Sequence, residues 1–338
     1  MVRPAVSVLV VTYRHARFVE ECLDSILAQT CQDFETIIID DASDDGTAKI
    51  IDRWLKQTGL PARFLQNPNN RGMCTNLNTA LAMAHGRFVC VVSGDDAFNP
   101  ERVERQLAAF AEAPSDTAAV YSDATLIDVD SQDLGLSFLQ DKLRDQPRPE
   151  GDIFHRLLLD DNFLPAPAVM VRRAALDAVG PYDESLFFED LYMWLNLSRR
   201  FRFRFLPGCP VRYRVQVNSM SRSPATQSAM IESSFRVLSA WLGKCGDADR
   251  ALCERLWYLA MKQILTGDDK AARRMMSAIA RAPGKWRRRS AARLAALPGG
   301  CGLVRLLSRA YRGAKGNVSS RSVYDRSSAG TPSKIKQR

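Results

Sequence analysis

Short, continuous apolar runs separated by helical spacing constrain this chain more than any other feature. Val6–Thr12 and Phe34–Asp40 are rich in β-branched residues, and residues 63–66 and 87–93 repeat the pattern more briefly. Between them, Val19, Cys22, Leu23, Ile26 and Leu27 fall on one helical face, and Ile50, Ile51, Trp54 and Leu55 on another. A third helix is expected over residues 73–84, and Pro100 is expected at the first position of a fourth, capped by Asn99. Residues 120–122 and 125–129 read as further strands. Such βαβα alternation predicts an α/β fold with a mostly parallel central sheet and flanking helices. Uninterrupted apolar runs are what strands covered on both faces require.

In open sheets of this kind ligands bind beyond the carboxyl ends of the strands. Three predicted strand ends are polar: Thr12-Tyr13, Asp40-Asp41, and Ser93-Gly94-Asp95-Asp96. After Asp41, either Ser43 or a neighbouring Asp is expected to cap the next helix, while Asp41 is placed to meet a ligand. Asp95 and Asp96 would repel each other if both were buried and unpaired. A divalent cation resolves that conflict, because hard cations take carboxylate oxygens and keep sites for phosphate and water. The other reading of the pair is a cap for the helix near Pro100. No G-x-G-x-x-G follows the first strand and no Walker motif occurs, which argues against a dinucleotide oxidoreductase or a P-loop NTPase. The three histidines form no metal-ligand spacing.

Beyond residue 147 the signals continue: helix over 153–159, strand over 167–171, helix over 173–179, and helix over 187–197 with Glu189-Asp190 near its start. Strands are expected over 201–205 and 210–215. Trp194 reads as core, and Glu189 as a cap or solvated residue of its helix.

These pieces together closely resemble the family 2 inverting glycosyltransferases of GT-A fold. The resemblance is carried by Val6-Ser-Val-Leu-Val-Val-Thr-Tyr13, Leu23 to Thr30, Phe34 to Thr47, and Asn69-Asn-Arg-Gly72 with Asn76. Ala84-His-Gly-Arg-Phe88, Ser93-Gly-Asp-Asp96, Phe188-Glu-Asp190 with Trp194, Tyr213-Arg214 and Asn218-Ser-Met-Ser221 continue it in order. It covers residues 4–221 and implies sugar transfer from a nucleotide-diphosphate donor, foremost a UDP-sugar, to a glycan or lipid-linked acceptor, in cell-surface polysaccharide biosynthesis. It further implies that Thr12 and Tyr13 line the nucleoside pocket and that Asp41 and Arg71 lie at the base. Asp95 then holds the ribose, Asp96 binds Mn²⁺ or Mg²⁺, and Asp190 is the general base. Two departures stand out: Ser93 replaces the first carboxylate of the usual D-x-D, and Gln216 stands where relatives often carry His.

Charge divides the chain unevenly. Residues 1–220 carry 23 basic against 31 acidic side chains, and residues 221–338 carry 24 against 7. The expected organisation is a transferase domain over 1–221, a helical basic appendage over 222–312 and a disordered tail over 313–338. The appendage is either a helical cap with a solvated basic face or an amphipathic surface making peripheral contact with an anionic membrane. Eight scattered cysteines without a C-x-x-C pair and no signal-like segment predict a cytoplasmic protein, peripheral at most to the inner face of the membrane. The competing readings are a sugar nucleotidyltransferase and a non-catalytic nucleic-acid or membrane-binding module. No nucleic-acid partner is expected, because acidic strand ends repel phosphates and no recognised nucleic-acid motif is present.

Overall fold

The computed structural model describes residues 3–160, 162–208, 210–216, 223–282 and 288–306. The segment Asn218–Ser221, most of the basic cluster at 285–289 and the tail expected to be disordered lie outside them. The chain divides into two compact units: Met1–Gln216 with Arg236–Trp241, and Val217–Phe235 with Leu242–Arg338.

The first unit runs β1 (Val6–Thr12), α1 (Val19–Leu27), β2 (Phe34–Asp40), α2 (Thr47–Thr58), β3 (Ala62–Gln66), α3 (Met73–Met83) and β4 (Phe88–Ser93). There follow β5 (Ala97–Phe98), α4 (Arg102–Glu112), β6 (Thr117–Tyr121), β7 (Thr125–Ile127), β8 (Asp133–Ser137), α5 (Phe138–Leu143) and α6 (Phe154–Leu159). Then come β9 (Val169–Arg172), α7 (Arg173–Val179), α8 (Asp190–Ser198), β10 (Arg202–Phe205) and β11 (Val211–Arg214). A seven-stranded sheet has the order β10-β6-β9-β4-β1-β2-β3, and a four-stranded one the order β5-β11-β7-β8. Neighbours in the large sheet are parallel except β9, which runs antiparallel to β4 and β6. The expected α/β class with a mostly parallel sheet and flanking helices is what the chain forms.

All seven residues of β1 are buried, as a central strand with helices on both faces demands. Register then determines where the polar ends fall. Thr12 pairs with Asp40 across β1 and β2, and Val11 pairs with Ser93 across β1 and β4. The three polar strand ends therefore lie side by side at one edge of the sheet.

Several boundaries differ from expectation. The helix after Pro100 begins at Arg102, with Glu101 at its N-cap and no side-chain cap; the Asn99 carbonyl instead accepts the Arg102 N–H at 3.1 Å. Pro100 and Glu101 form a turn that Asn99 closes through its backbone. Helix α8 starts at Asp190, three residues later than its apolar spacing implied. Gly46 takes the N-cap of α2 without a side-chain cap, in place of the expected Ser43 or neighbouring Asp; the Ser43 hydroxyl oxygen accepts the Arg14 N–H at 2.8 Å, and Asp45 accepts the N–H of Thr47, the first helical residue, at 3.0 Å.

The second unit contains α9 (Pro224–Ser239) up to Phe235, α10 (Asp249–Thr266), α11 (Asp269–Arg281) and α12 (Arg289–Ala296). Leu252, Leu256, Ala260 and Ile264 of α10, and Ala272, Met275, Met276 and Ile279 of α11, are buried. Asp268 caps α11 by accepting the Ala271 N–H at 3.0 Å. Among the described residues no helix is long and apolar enough to cross a membrane.

Candidate functional site

The strand ends do not merely sit near one another; they are bonded into one rim. The Thr12 hydroxyl donates to Asp40 Oδ1 at 2.9 Å, and the Ser43 hydroxyl donates to the same oxygen at 2.6 Å. Thr12 is fully buried, so its side chain is spent on Asp40 and the adjacent Tyr13 presents the outward ring, 40% exposed. The Asp41 N–H donates to the Thr12 carbonyl at 2.8 Å. Arg14 and Ala42, two non-glycine residues with positive φ (58° and 62°), follow the ends of β1 and β2. Residues held in that region mark places where surrounding structure overrides local preference.

Asp41 organises the next loop. Its Oδ1 accepts from Asn67 Nδ2 at 2.9 Å and from the Arg71 N–H at 2.8 Å, and Oδ2 accepts from the Gly72 N–H at 2.9 Å. One carboxylate thus pins residues 67–72 and leaves the Arg71 side chain exposed. A cleft of about 410 Å³ lined by Ala42, Ser43, Gln66, Asn67 and Pro68 opens beside it.

At the end of β4, Gly94 has a steric reason to lack a side chain. A Cβ there would sit 2.5 Å from Thr12 Cγ2 and 3.0 Å from His15 Nδ1. The close approach brings the turn that carries Asp95 and Asp96 against β1. Asp95 Oδ2 accepts from Gln216 Nε2 at 2.7 Å, and His15 Nε2 lies 3.7 Å from Asp95 Oδ1. Asp96 is 4% exposed and accepts the Arg214 N–H at 2.8 Å. Burial first, and then the neighbouring Asp95 carboxylate, push the Asp96 carboxyl far above the ordinary carboxylate range.

Arg214 ties this turn to the rest of the unit. Its guanidinium is 1% exposed; it donates to the Asp95 carbonyl at 2.8 Å and to the Asp128 carbonyl at 2.7 Å, and it pairs with Glu21. It also lies 4.5 Å over the Phe18 ring. Two carboxylates at a turn, with no third His, Cys, Asp or Glu completing a cluster among the described residues, do not make an all-protein cage. They do fit a Mg²⁺- or Mn²⁺-type ion that takes one or two carboxylates and fills its remaining sites with phosphate oxygens and water.

Asp190 opens α8, where the helix dipole favours negative charge. Its Oδ2 accepts from Asn162 Nδ2 at 2.6 Å and its Oδ1 from the Leu191 N–H at 2.6 Å. Glu189 occupies the N-cap position but its side chain makes no capping bond. It lines a narrow slot with Val89, Val91, Val169, Val171 and Trp194, so the expected solvated glutamate is instead set in apolar surroundings. Burial and the adjacent Asp190 push its carboxyl well above the usual range. Trp194 is core, as expected, and its indole N–H has no partner among the described residues.

Residues 7–180 match the sequence profile of glycosyl transferase family 2. The chain belongs to that family. This family 2 chain is 27% identical over 181 residues to an uncharacterized glycosyltransferase, alr2836, of Nostoc sp., a match covering 53% of the chain and 54% of that relative. It spans 38% of another curated relative, from Bacillus subtilis, so it accounts for about half or less of their lengths. In fold, it is similar to Staphylococcus aureus TarS 1-349 in complex with UDP-GlcNAc (TM-score 0.60, 18% identity, covering 91% of this chain and 92% of that one). It is likewise similar to the mannosyltransferase PcManGT of Pyrobaculum calidifontis in complex with GDP-Man and Mn²⁺ (TM-score 0.55, 19% identity, covering 93% and 82%). Both likenesses establish the GT-A fold.

Of the predicted site residues in this family 2 chain, Thr12, Tyr13, Asp41, Arg71, Asp95 and Asp96 lie along the linked ends of β1, β2 and β4 and the loop that Asp41 pins. Asp190 heads a helix that follows β9, the neighbour of β4. Sequence reasoning missed Glu21, Arg214 as the brace, and Asn67 as the partner of Asp41. The signal for Arg214 was present in its place next to Tyr213, but no spacing rule pairs it with Glu21, 193 residues away.

Proposed function

We propose that this chain is an inverting glycosyltransferase that moves a sugar from a nucleotide-diphosphate donor, foremost a UDP-sugar, to a hydroxyl of a glycan or lipid-linked acceptor in cell-surface polysaccharide biosynthesis. The observation that carries the reading is the linked row of polar strand ends, Thr12-Tyr13, Asp40-Asp41 and Asp95-Asp96, at the carboxyl edge of a parallel sheet in a family 2 chain. The transferase domain spans residues 1–221, with residues 222–312 as a basic appendage and 313–338 as a tail.

In this reading the exposed Tyr13 ring packs on the base, Thr12 fixes the strand end, and Asp41 with Arg71 forms the base edge of the pocket. Asp95 takes the ribose, and Asp96 is the ligand of Mn²⁺ or Mg²⁺. When bound, that cation neutralises charge developing on the leaving diphosphate. Asp190 accepts the proton of the acceptor hydroxyl as the acceptor oxygen bonds to the anomeric carbon and the bond from that carbon to phosphate breaks. One displacement with one base gives inversion. The site of action is the cytoplasm, peripheral at most to the inner face of the membrane.

Thermal melting with UDP-, GDP- and dTDP-sugars in the presence of Mn²⁺ tests the donor assignment. A UDP-sugar should raise the melting temperature, and a protein unmoved by every nucleotide sugar would contradict the reading.

A further inference from the structure

Helix α12 and the residues that follow it carry their apolar residues the wrong way round for a segment serving only the core of its unit, in contrast to α10 and α11. In α12, Ala292 and Ala295 are buried at 0% and 1%, while Leu294 is 66% exposed and Leu297, just past the helix, 56%. Leu303 and Leu306 are 60% and 65% exposed, beside a buried Cys301. A leucine turned to water while alanines pack inward gains nothing from the fold that presents it.

The surrounding sequence is charged in one sense only, although Arg288 pairs with Glu254 and Arg305 with Asp269. Residues 270–324 hold 14 Lys and Arg and no Asp or Glu. Arg293 and Leu294 are adjacent and both exposed, and Leu297 is exposed just past the helix, so cation and apolar side chains stand together at its C-terminal end. Exposed leucines interspersed with arginines are the composition of a helix lying in a membrane interface, where the apolar side chains enter the acyl boundary and the cations meet anionic headgroups. A second copy of this chain would bring like charges together across a symmetric interface, which opposes self-association. Nucleic acid would satisfy the arginines but leave the leucines in water.

We infer that residues 288–306 form a docking surface for an anionic lipid bilayer, with Leu294, Leu297, Leu303 and Leu306 inserting and Arg293 meeting headgroups. The inference adds a partner to the transferase reading, and its test needs no sugar donor, so either can fail without the other.

The experiment is flotation of the full-length protein with vesicles of phosphatidylcholine alone and of phosphatidylcholine mixed with phosphatidylglycerol, at low and high salt. The protein should bind the mixed vesicles, lose binding as salt rises, and ignore the neutral ones. Leu294→Ser, Leu297→Ser, Leu303→Ser and Leu306→Ser combined should weaken binding about ten-fold or more, with the melting temperature unchanged because these side chains are already more than half exposed. Arg293→Gln alone should lower affinity without abolishing it. Indifference to lipid charge, undiminished binding by the four-serine variant, a dimer that the serines dissociate, or duplex DNA bound with undiminished affinity by the serine variant would each overturn the inference.

Discussion

Arg214 donates its backbone N–H to Asp96 Oδ1 at 2.8 Å while its guanidinium donates to the Asp95 carbonyl, also at 2.8 Å. One residue thereby holds the Asp96 carboxylate and the Asp95 peptide carbonyl of the acidic turn, and Glu21 and the Asp128 carbonyl hold the guanidinium in return. The brace explains how two neighbouring carboxylates keep one orientation although burial and mutual repulsion disfavour both being charged.

Arg214→Lys should therefore damage the turn even though it keeps the charge. An ammonium lacks the planar fork that reaches several acceptors at once, and leaving buried acceptors unpaired costs about 1–3 kcal/mol. Denaturant unfolding should register that loss, and calorimetry should show nucleoside-diphosphate affinity in Mn²⁺ weakened about ten-fold. A variant with unaltered affinity would place the Asp95-Asp96 turn beyond the influence of Arg214.

Asp190→Asn should separate chemistry from binding. A general base contributes typically about 10²–10⁴ in rate, so kcat should drop by that order while donor affinity stays within a few-fold. Asn keeps the acceptor oxygen for Asn162 but cannot take a proton. Near-normal turnover with an authentic acceptor would remove Asp190 from the base role.

Glu189→Gln addresses pH. The Glu189 carboxyl is raised by burial and by Asp190, so above the unfolded value of about 4.3 the unfolded chain releases a proton that the fold retains. Stability from this group is thus fully present below that value and lost as pH rises through the raised folded value. Asp96, raised in the same sense, contributes with the same sign when no cation is bound. Glutamine is neutral throughout, so the variant's melting temperature should fall less than the wild type's between pH 5 and pH 8, measured without divalent metal. Parallel curves would show that Glu189 is not the group responsible.

Gly94→Ala should be costly for a single methyl. The added Cβ would stand 2.5 Å from Thr12 Cγ2, and overpacking of that kind costs typically about 1–3 kcal/mol. The two strand ends forced apart carry Tyr13 (after β1) and Asp95 (after β4), so donor affinity should drop with stability. Wild-type melting and donor affinity would mean the turn relaxes freely.

The reach of the sequence differs between the fold and the site. β1 and β2 were readable to the residue because each is a continuous β-branched run ended by a polar residue, and burial on both faces leaves little else for such a run to do. β5 and β8 were not. Ala97–Phe98 is too short to show a period, and the exposed Asp133–Ser137 contains Asp and Gly, both poor strand formers. The antiparallel course of β9 depends on how the chain returns after residue 130, which no local pattern encodes. In the site, the row of strand ends followed from ligand placement in parallel sheets. The bonds that make it one rim, Thr12 to Asp40, Asp41 to Asn67 and Arg214 to Glu21, join residues 26 to 193 positions apart. Glu189 departs from expectation because a glutamate at a helix start ordinarily faces water, whereas here it lines the slot beside Trp194.

The central claim, sugar transfer by a metal-assisted donor site at Asp95-Asp96 and a base at Asp190, is tested most directly by identifying what leaves the donor. Full-length protein incubated with a radiolabelled nucleotide sugar, an acceptor glycan and Mn²⁺ should release nucleoside diphosphate and label the acceptor, with both signals lost in Asp96→Ala and in Asp190→Asn. Pyrophosphate formed from a nucleoside triphosphate and sugar phosphate, or diphosphate release undiminished in both variants, would contradict the account.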